Sequence, residues 1–259
     1  MNDAIHNHWP EFLMEAAGLG IFMMSAGAFA VVLYHPQSPL AQVLVDPLLR
    51  RVLMGCAMGI TAIGLIYSPW GKRSGAHFNP AVTLTFLRLG KIAPWDGLFY
   101  VGAQFLGGVA GLLLVALVSR GLVADPSVNY VVTIPGAGGA AAAFLAEIAI
   151  SLGLMSVVLA ASNTPRLAPL TGVFAGALVA TFITVEAPIS GMSMNPARSF
   201  ASALPADLWT AFWVYLTAPL LGMLLAAELR LRLSLSPVIC AKLHHDNPAC
   251  CIFRCGYAR

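Results

Sequence analysis

The sequence predicts an all-α membrane protein: six transmembrane helices plus two reentrant half-helices, arranged as an inverted repeat. Three observations predict it. Of 259 residues, 59% are hydrophobic and 10% charged, with a mean hydropathy of +0.81; soluble proteins carry about 25% charged residues. So few charges do not cover a soluble core of this size. The chain also holds six apolar stretches, each near the roughly 20 residues that a membrane helix needs. Finally, one short segment occurs twice between those stretches.

In chain order the expected spans are Phe12–Leu33, Leu48–Tyr67, Trp95–Val118, Ala140–Ala161, Leu167–Val185 and Leu208–Ala227. The first is too long and glycine-rich for a cleaved signal peptide, and its n-region carries Asp3 and Glu11 rather than basic residues. The stretch before it, with His6, His8 and Trp9, reads as a polar lead-in with an interfacial aromatic. This divides the chain into an N-terminal segment 1–10, a channel domain 11–229 (repeats about 11–120 and 139–229) and a tail 230–259. Gly55/Gly59, Gly107/Gly111 and Gly172/Gly176 sit four apart inside spans and suit close helix contact, with Cys56 as packing between them.

Basic residues orient the chain. With the N-terminus inside, Lys72, Arg73, Arg88, Lys91, Arg166 and the basic tail residues all fall on the inner side. Only Arg50, Arg51 and Arg120 fall outside, which satisfies the positive-inside bias. Both termini are therefore expected in the cytoplasm and the protein in the plasma (inner) membrane. A net charge of +3 gives no case for nucleic-acid binding.

The repeated segment carries the functional expectation. Ser74-Gly75-Ala76-His77-Phe78-Asn79-Pro80-Ala81 is matched by Ser190-Gly191-Met192-Ser193-Met194-Asn195-Pro196-Ala197, with five of eight positions identical at a separation of 116 residues. Asn is a favoured N-cap, and Pro fits the first helical turn, where its missing N–H costs nothing. The runs that follow, Val82–Leu87 and Ser199–Leu204, are too short to cross a bilayer. Each copy therefore reads as the start of a half-helix inside the membrane, where irregular backbone must line a cavity or be buried in protein. Three spans per half invert the second half relative to the first. The half-helices then meet near the midplane with their positive ends on one spot. Asn79 and Asn195 would offer amide donors there to a neutral molecule with a lone pair, while cations and protons are repelled.

These paired Asn-Pro-Ala motifs, with Arg198 after the second, resemble those of the aquaporin (major intrinsic protein) family over about residues 11–229. Glu15 and Glu147, each inside a span, match the family's buried acids that accept hydrogen bonds from the reentrant loops; His77 is assigned to loop packing. The resemblance implies a passive, non-enzymatic channel, one pore per chain, homotetrameric, without cofactor. Arg198, Ile183, Met192 and a second-span residue would form its narrow filter. The loop Tyr67–Arg73 is one residue longer than the family pattern, which places Met58 at the second-span position, with Gly59 the ungapped alternative. Strict water channels of the family place an aromatic on the second span and His on the fifth. Met or Gly with Ile instead makes an amphipathic filter, like those of the glycerol-conducting and nodulin-like branches. Small neutral solutes (polyols, urea, metalloid hydroxides) and water are the expected cargo. The alternatives are a water-selective channel, a coupled secondary transporter that would titrate Glu15 or Glu147, and a non-conducting structural protein.

Four of the five cysteines, Cys240, Cys250, Cys251 and Cys255, fall in the tail with His244 and His245. Cys240 to His244 and Cys251 to Cys255 each leave three residues between ligands, a spacing that fits a turn around zinc. A flexible tail with reduced thiols is the simplest expectation. Metal binding that restrains the tail over the inner pore mouth, and acylation of a cysteine, stand as alternatives.

Overall fold

Proline opens six of the helices, and a side-chain cap precedes five of those six. In a computed structural model that describes residues 2–233, 235–246 and 251–257, the elements are α1 (Asn2–Tyr34), α2 (Pro39–Val43), α3 (Pro47–Tyr67), α4 (Pro69–Ser74), α5 (Pro80–Arg88), α6 (Pro94–Val118), α7 (Gly139–Ser162), α8 (Thr171–Val185), α9 (Ala187–Ser190), α10 (Pro196–Ala206) and α11 (Phe212–Arg232). Pro39, Pro47, Pro69, Pro80, Pro94 and Pro196 each begin a helix. There the ring presets φ and its missing N–H is one that the first turn leaves unpaired anyway. Asp46 shows the accompanying cap, accepting the Leu48 and Leu49 N–H groups at 2.7 and 3.0 Å.

Six helices among the described residues are long and apolar enough to cross a membrane. Large side chains such as Ile60, Leu106, Leu117 and Leu145 stand exposed on them, as expected of surfaces solvated by lipid. α1 packs on α6 and α7 on α11, the equivalent pair in each repeat, while α3 and α8 meet across the repeat boundary. The half-helices are exchanged: α5, from the first repeat, lies mainly on α11, and α10, from the second, mainly on α6. The glycine pairs are helix contacts. Gly107 and Gly111 sit against the Ala16 and Gly20 carbonyls of α1, and a Cβ on Gly59 would stand 2.6 Å from the Gly176 carbonyl of α8.

Several sequence expectations need correction. α1 begins at Asn2, so the lead-in is helical, with Pro10 inside it. The break that Pro10 makes in the hydrogen-bond ladder falls near the polar end of the helix, and His8 Nδ1 anchors that end 2.8 Å from Asp96 Oδ1. The sixth span runs Phe212–Arg232, later than its apolar run. Leu208–Ala211 forms a turn instead, between left-handed Asp207 and Ala211, and Arg88 extends the last turns by pairing with Glu228 at 2.7 Å. The fifth span does run Ala168–Val185, close to expectation, with a 3-10 turn at Ala168–Leu170 leading into the 15 residues of α8, about 22 Å of rise. Cys56 is exposed rather than packed: Gly55, Met58 and Gly59 take the inward face of α3 and turn Cys56 outward.

Candidate functional site: a cavity between two reentrant half-helices

A cavity of about 340 Å³ runs through the helix bundle, from Tyr34 and Arg51 at one end to Leu243 at the other. Both copies of the repeated segment line it, residues 76–79 from one side and 191–195 from the other. Each copy holds alternate residues in the left-handed region: Ala76 and Phe78 at φ 56° and 46°, Met192 and Met194 at φ 52° and 53°. Left-handed backbone costs a non-glycine residue roughly 1–2 kcal/mol, so something must hold these loops in place.

Two buried carboxylates hold them. Glu15 on α1 accepts from the Ser74 hydroxyl at 2.7 Å, the His77 and Phe78 amides at 3.1 and 2.6 Å, and the Gln104 amide at 2.8 Å. Glu147 on α7 accepts from the Ser190 hydroxyl at 2.7 Å and from the Ser193 and Met194 amides at 2.6 and 2.7 Å. Tyr100 donates to the Ser74 carbonyl at 2.7 Å, and Tyr215 donates to the Ser190 carbonyl at 2.5 Å. Tyr100, Tyr215 and Gln104 were absent from the sequence expectations, although 115 residues separate the two tyrosines, within one of the motif offset.

The asparagines act twice. Asn79 Oδ1 accepts the Ala81 amide at 2.9 Å, and Asn195 Oδ1 accepts the Ala197 and Arg198 amides at 3.1 and 3.2 Å, so each caps its half-helix above Pro80 or Pro196. Their amide groups reach across the centre. Asn79 Nδ2 donates to the Met194 carbonyl at 2.7 Å, and Asn195 Nδ2 donates to the Phe78 carbonyl at 2.8 Å. Each carboxamide carries two N–H groups, and this brace takes one of them. Both asparagines line the cavity beside the N-termini of α5 and α10.

Arg198, on the first turn of α10, also lines the cavity, and its Nη1 donates to Thr133 Oγ1 at 2.9 Å. Thr133 shares a 2.6 Å hydrogen bond with Ser199 and was likewise missed, since it lies in a connection without motif or periodicity. Met58, Ile183 and Met192 line the cavity as well, whereas Gly59 faces α8; of the two second-span alternatives, Met58 reaches the space. The cavity lining thus includes the Arg198 guanidinium and the three apolar side chains expected of the filter.

The described tail residues pack against the end of the bundle that carries Lys72, Lys91 and Asn163. His77 Nε2 donates to the Ala241 carbonyl at 2.7 Å, which leaves Nδ1 to accept from Thr83 at 3.1 Å. The His77 ring stacks between Phe86 and Phe253 at 5.1 and 5.5 Å. Leu243 N–H donates to the Gly75 carbonyl, and the buried Leu243 side chain closes on the cavity. Cys240 and Cys251 lie 3.5 Å apart, sulfur to sulfur, and the thiol that Cys240 directs at Cys251 holds the latter's ionisation down to about 5. His244, expected beside Cys240, stands edge-on to Tyr67 instead, and His245 takes its place near Cys255. Cys250 lies outside the described residues.

Six membrane-length helices, two opposed half-helices and a cavity between their N-termini define an integral membrane protein of channel architecture. A family model for the major intrinsic proteins matches residues 4–229, and the chain belongs to that family. Aquaporin NIP6-1 of Arabidopsis thaliana is 39% identical over 180 residues, 68% of this chain and 57% of that protein. Putative aquaporin NIP4-1 of Arabidopsis thaliana is 40% identical over 64% of this chain and 57% of its own length, so the matched stretch spans little over half of either relative. Among solved structures, the aquaglyceroporin from Plasmodium falciparum superposes with a TM-score of 0.68 at 21% identity, covering 85% of this chain and 94% of that one; this likeness bears on the fold alone.

Proposed function

We propose that the chain forms a passive pore for small uncharged solutes (glycerol-like polyols, urea, metalloid hydroxides) and water, and that it excludes ions and protons. The amphipathic cavity carries this reading. Arg198 and the second N–H groups of Asn79 and Asn195 supply donors to the cavity, and Met58, Ile183 and Met192 add carbon to the same lining. A polyol presents the complementary surface, with hydroxyls on one side and C–H on the other. The guanidinium and the positive ends of α5 and α10 oppose cation entry. A solute oxygen bound at the paired asparagines turns its hydrogens outward and breaks a proton wire. The two carboxylates that a coupled transporter would titrate, Glu15 and Glu147, are instead committed to four and three hydrogen-bond donors. The reading extends to a homotetramer in the plasma (inner) membrane, with both termini and the packed tail on the cytoplasmic side, where Lys72, Arg73, Arg88, Lys91 and Arg166 collect.

Stopped-flow light scattering of reconstituted vesicles tests it. The protein should speed relaxation after glycerol, urea and boric acid gradients. Ile183→His should lower the glycerol-to-water permeability ratio about fivefold, since one added hydrogen-bonding partner is worth about 1 kcal/mol. Fast water flux with all three solutes excluded would overturn the assignment.

A further inference from the structure

Cys240, His245, Cys251 and Cys255 bring one ligand atom each into a group in which all four lie within 4.8 Å of one another. The Cys240 and Cys251 sulfurs are 3.5 Å apart, and Cys255 Sγ lies 3.2 Å from His245 Nε2. A tetrahedral zinc with Zn–S of about 2.3 Å and Zn–N of about 2.0 Å sets those edges at roughly 3.8 and 3.5 Å. Those two edges open by about 0.3 Å to accept the ion, and the remaining edges, none above 4.8 Å, settle to the same tetrahedral spacing. We propose that these four residues bind one tetrahedral zinc ion, and that the ion clasps the tail across the inner mouth of the cavity.

The placement of the ligands gives the clasp its effect. They come from two limbs of irregular chain, 239–245 and 251–257, neither of which has a helix or strand to hold it. The first limb is tied to the bundle by Ile239 N–H on Asn163 Oδ1 at 2.6 Å, Leu243 N–H on the Gly75 carbonyl at 3.1 Å, and His77 on Ala241. The second is tied by Arg254 N–H on the Lys91 carbonyl at 3.0 Å. Between limbs, the described backbone contact is Gly256 N–H on the Ile239 carbonyl at 2.8 Å. An ion held by Cys240 and His245 on one limb and by Cys251 and Cys255 on the other joins them into one strap, which carries Leu243 at the cavity end. Three thiolates and one neutral imidazole suit a borderline-soft divalent ion, and a closed four-ligand set is that of a structural site. Buried Lys242, between the ligands of the first limb, offsets the net negative charge of such a complex.

The binding claim does not depend on what the cavity conducts, and its test reads metal directly. The full chain, carrying an affinity tag without histidines and purified in detergent under reducing conditions, should hold one zinc ion by mass spectrometric metal analysis. Cobalt exchanged into it should show thiolate charge-transfer bands and the visible absorption of a tetrahedral centre. Cys251→Ser/Cys255→Ser should lose zinc, and His244→Ala, beside the cluster, should keep it. Chelation should speed tryptic cleavage after Lys242 and Arg254 at least tenfold. The proposal is overturned if monodisperse wild-type protein with free thiols takes up no zinc or cobalt, or if the cysteine variant retains as much zinc as wild type. It is equally overturned if intact mass shows a Cys240–Cys251 disulfide in cells, or if stripping the metal leaves cleavage unchanged.

Discussion

Glu15→Leu is expected to abolish recovery of folded protein. The substitution leaves the His77 and Phe78 amides, the Ser74 hydroxyl and the Gln104 amide without their acceptor, in a place where water does not reach. Each buried unsatisfied donor costs about 1–3 kcal/mol, so four cost about 4–12 kcal/mol, close to the whole stability of an ordinary protein. The left-handed residues Ala76 and Phe78 lose their restraint at the same time. Glu15→Gln keeps the shape and one acceptor oxygen but presents an NH2 group to donors, so it should fold with a lowered melting temperature. Glu147→Leu removes three donors' acceptor and should do slightly less harm. Size-exclusion profiles and thermal melts in detergent read all three variants. A Glu15→Leu protein with the wild-type profile and melting point would refute the anchoring role.

Arg198→Val should admit cations while leaving the protein folded. The guanidinium lines the cavity, and its described side-chain bond is to Thr133 Oγ1, which retains Ser199 as a partner. A unit charge about 4 Å from a passing cation raises its energy by about 4 kcal/mol at an effective dielectric of 20. Removing it should therefore raise cation entry by nearly three powers of ten, to a leak visible in planar bilayers or as proton flux in dye-loaded vesicles. The dipoles of α5 and α10 remain, so the leak should stay below that of an open water-filled pore. Glycerol flux should fall as well, because the hydroxyl partner is gone. A variant as tight to cations as wild type would assign exclusion to the half-helices alone.

The spans were legible because a helix surrounded by lipid is apolar all round, a signal that needs no periodicity. Their ends were less so. The start of α1 hides in polar residues that are stabilised by Asp96 and Arg73, partners far along the chain, and the charged end of α11 is held by Arg88. At the site, whatever is written twice could be read: Asn79 and Asn195, and the Ser74 and Ser190 that open each copy. Arg198 followed from its place beside the motif. Tyr100, Gln104 and Thr133 could not be read, since their contacts join distant segments and leave no local pattern. The tail shows the limit most clearly. The Cys240-to-His244 spacing suited a turn around zinc, whereas the limb is irregular and presents His245 beside the cysteines.

The crossed bonds between Asn79 and Met194 and between Asn195 and Phe78 also set a timetable for biosynthesis. The first loop's partner is 115 residues further on, and at about 5–20 residues per second it leaves the ribosome roughly 6–23 s later. His77 waits longer still, for an Ala241 carbonyl 164 residues downstream. Throughout that interval the first half of the chain must shelter an unfinished loop at membrane depth, held by Glu15 and Tyr100. The carboxylate thus guards a nascent half-protein before it ever supports a finished one.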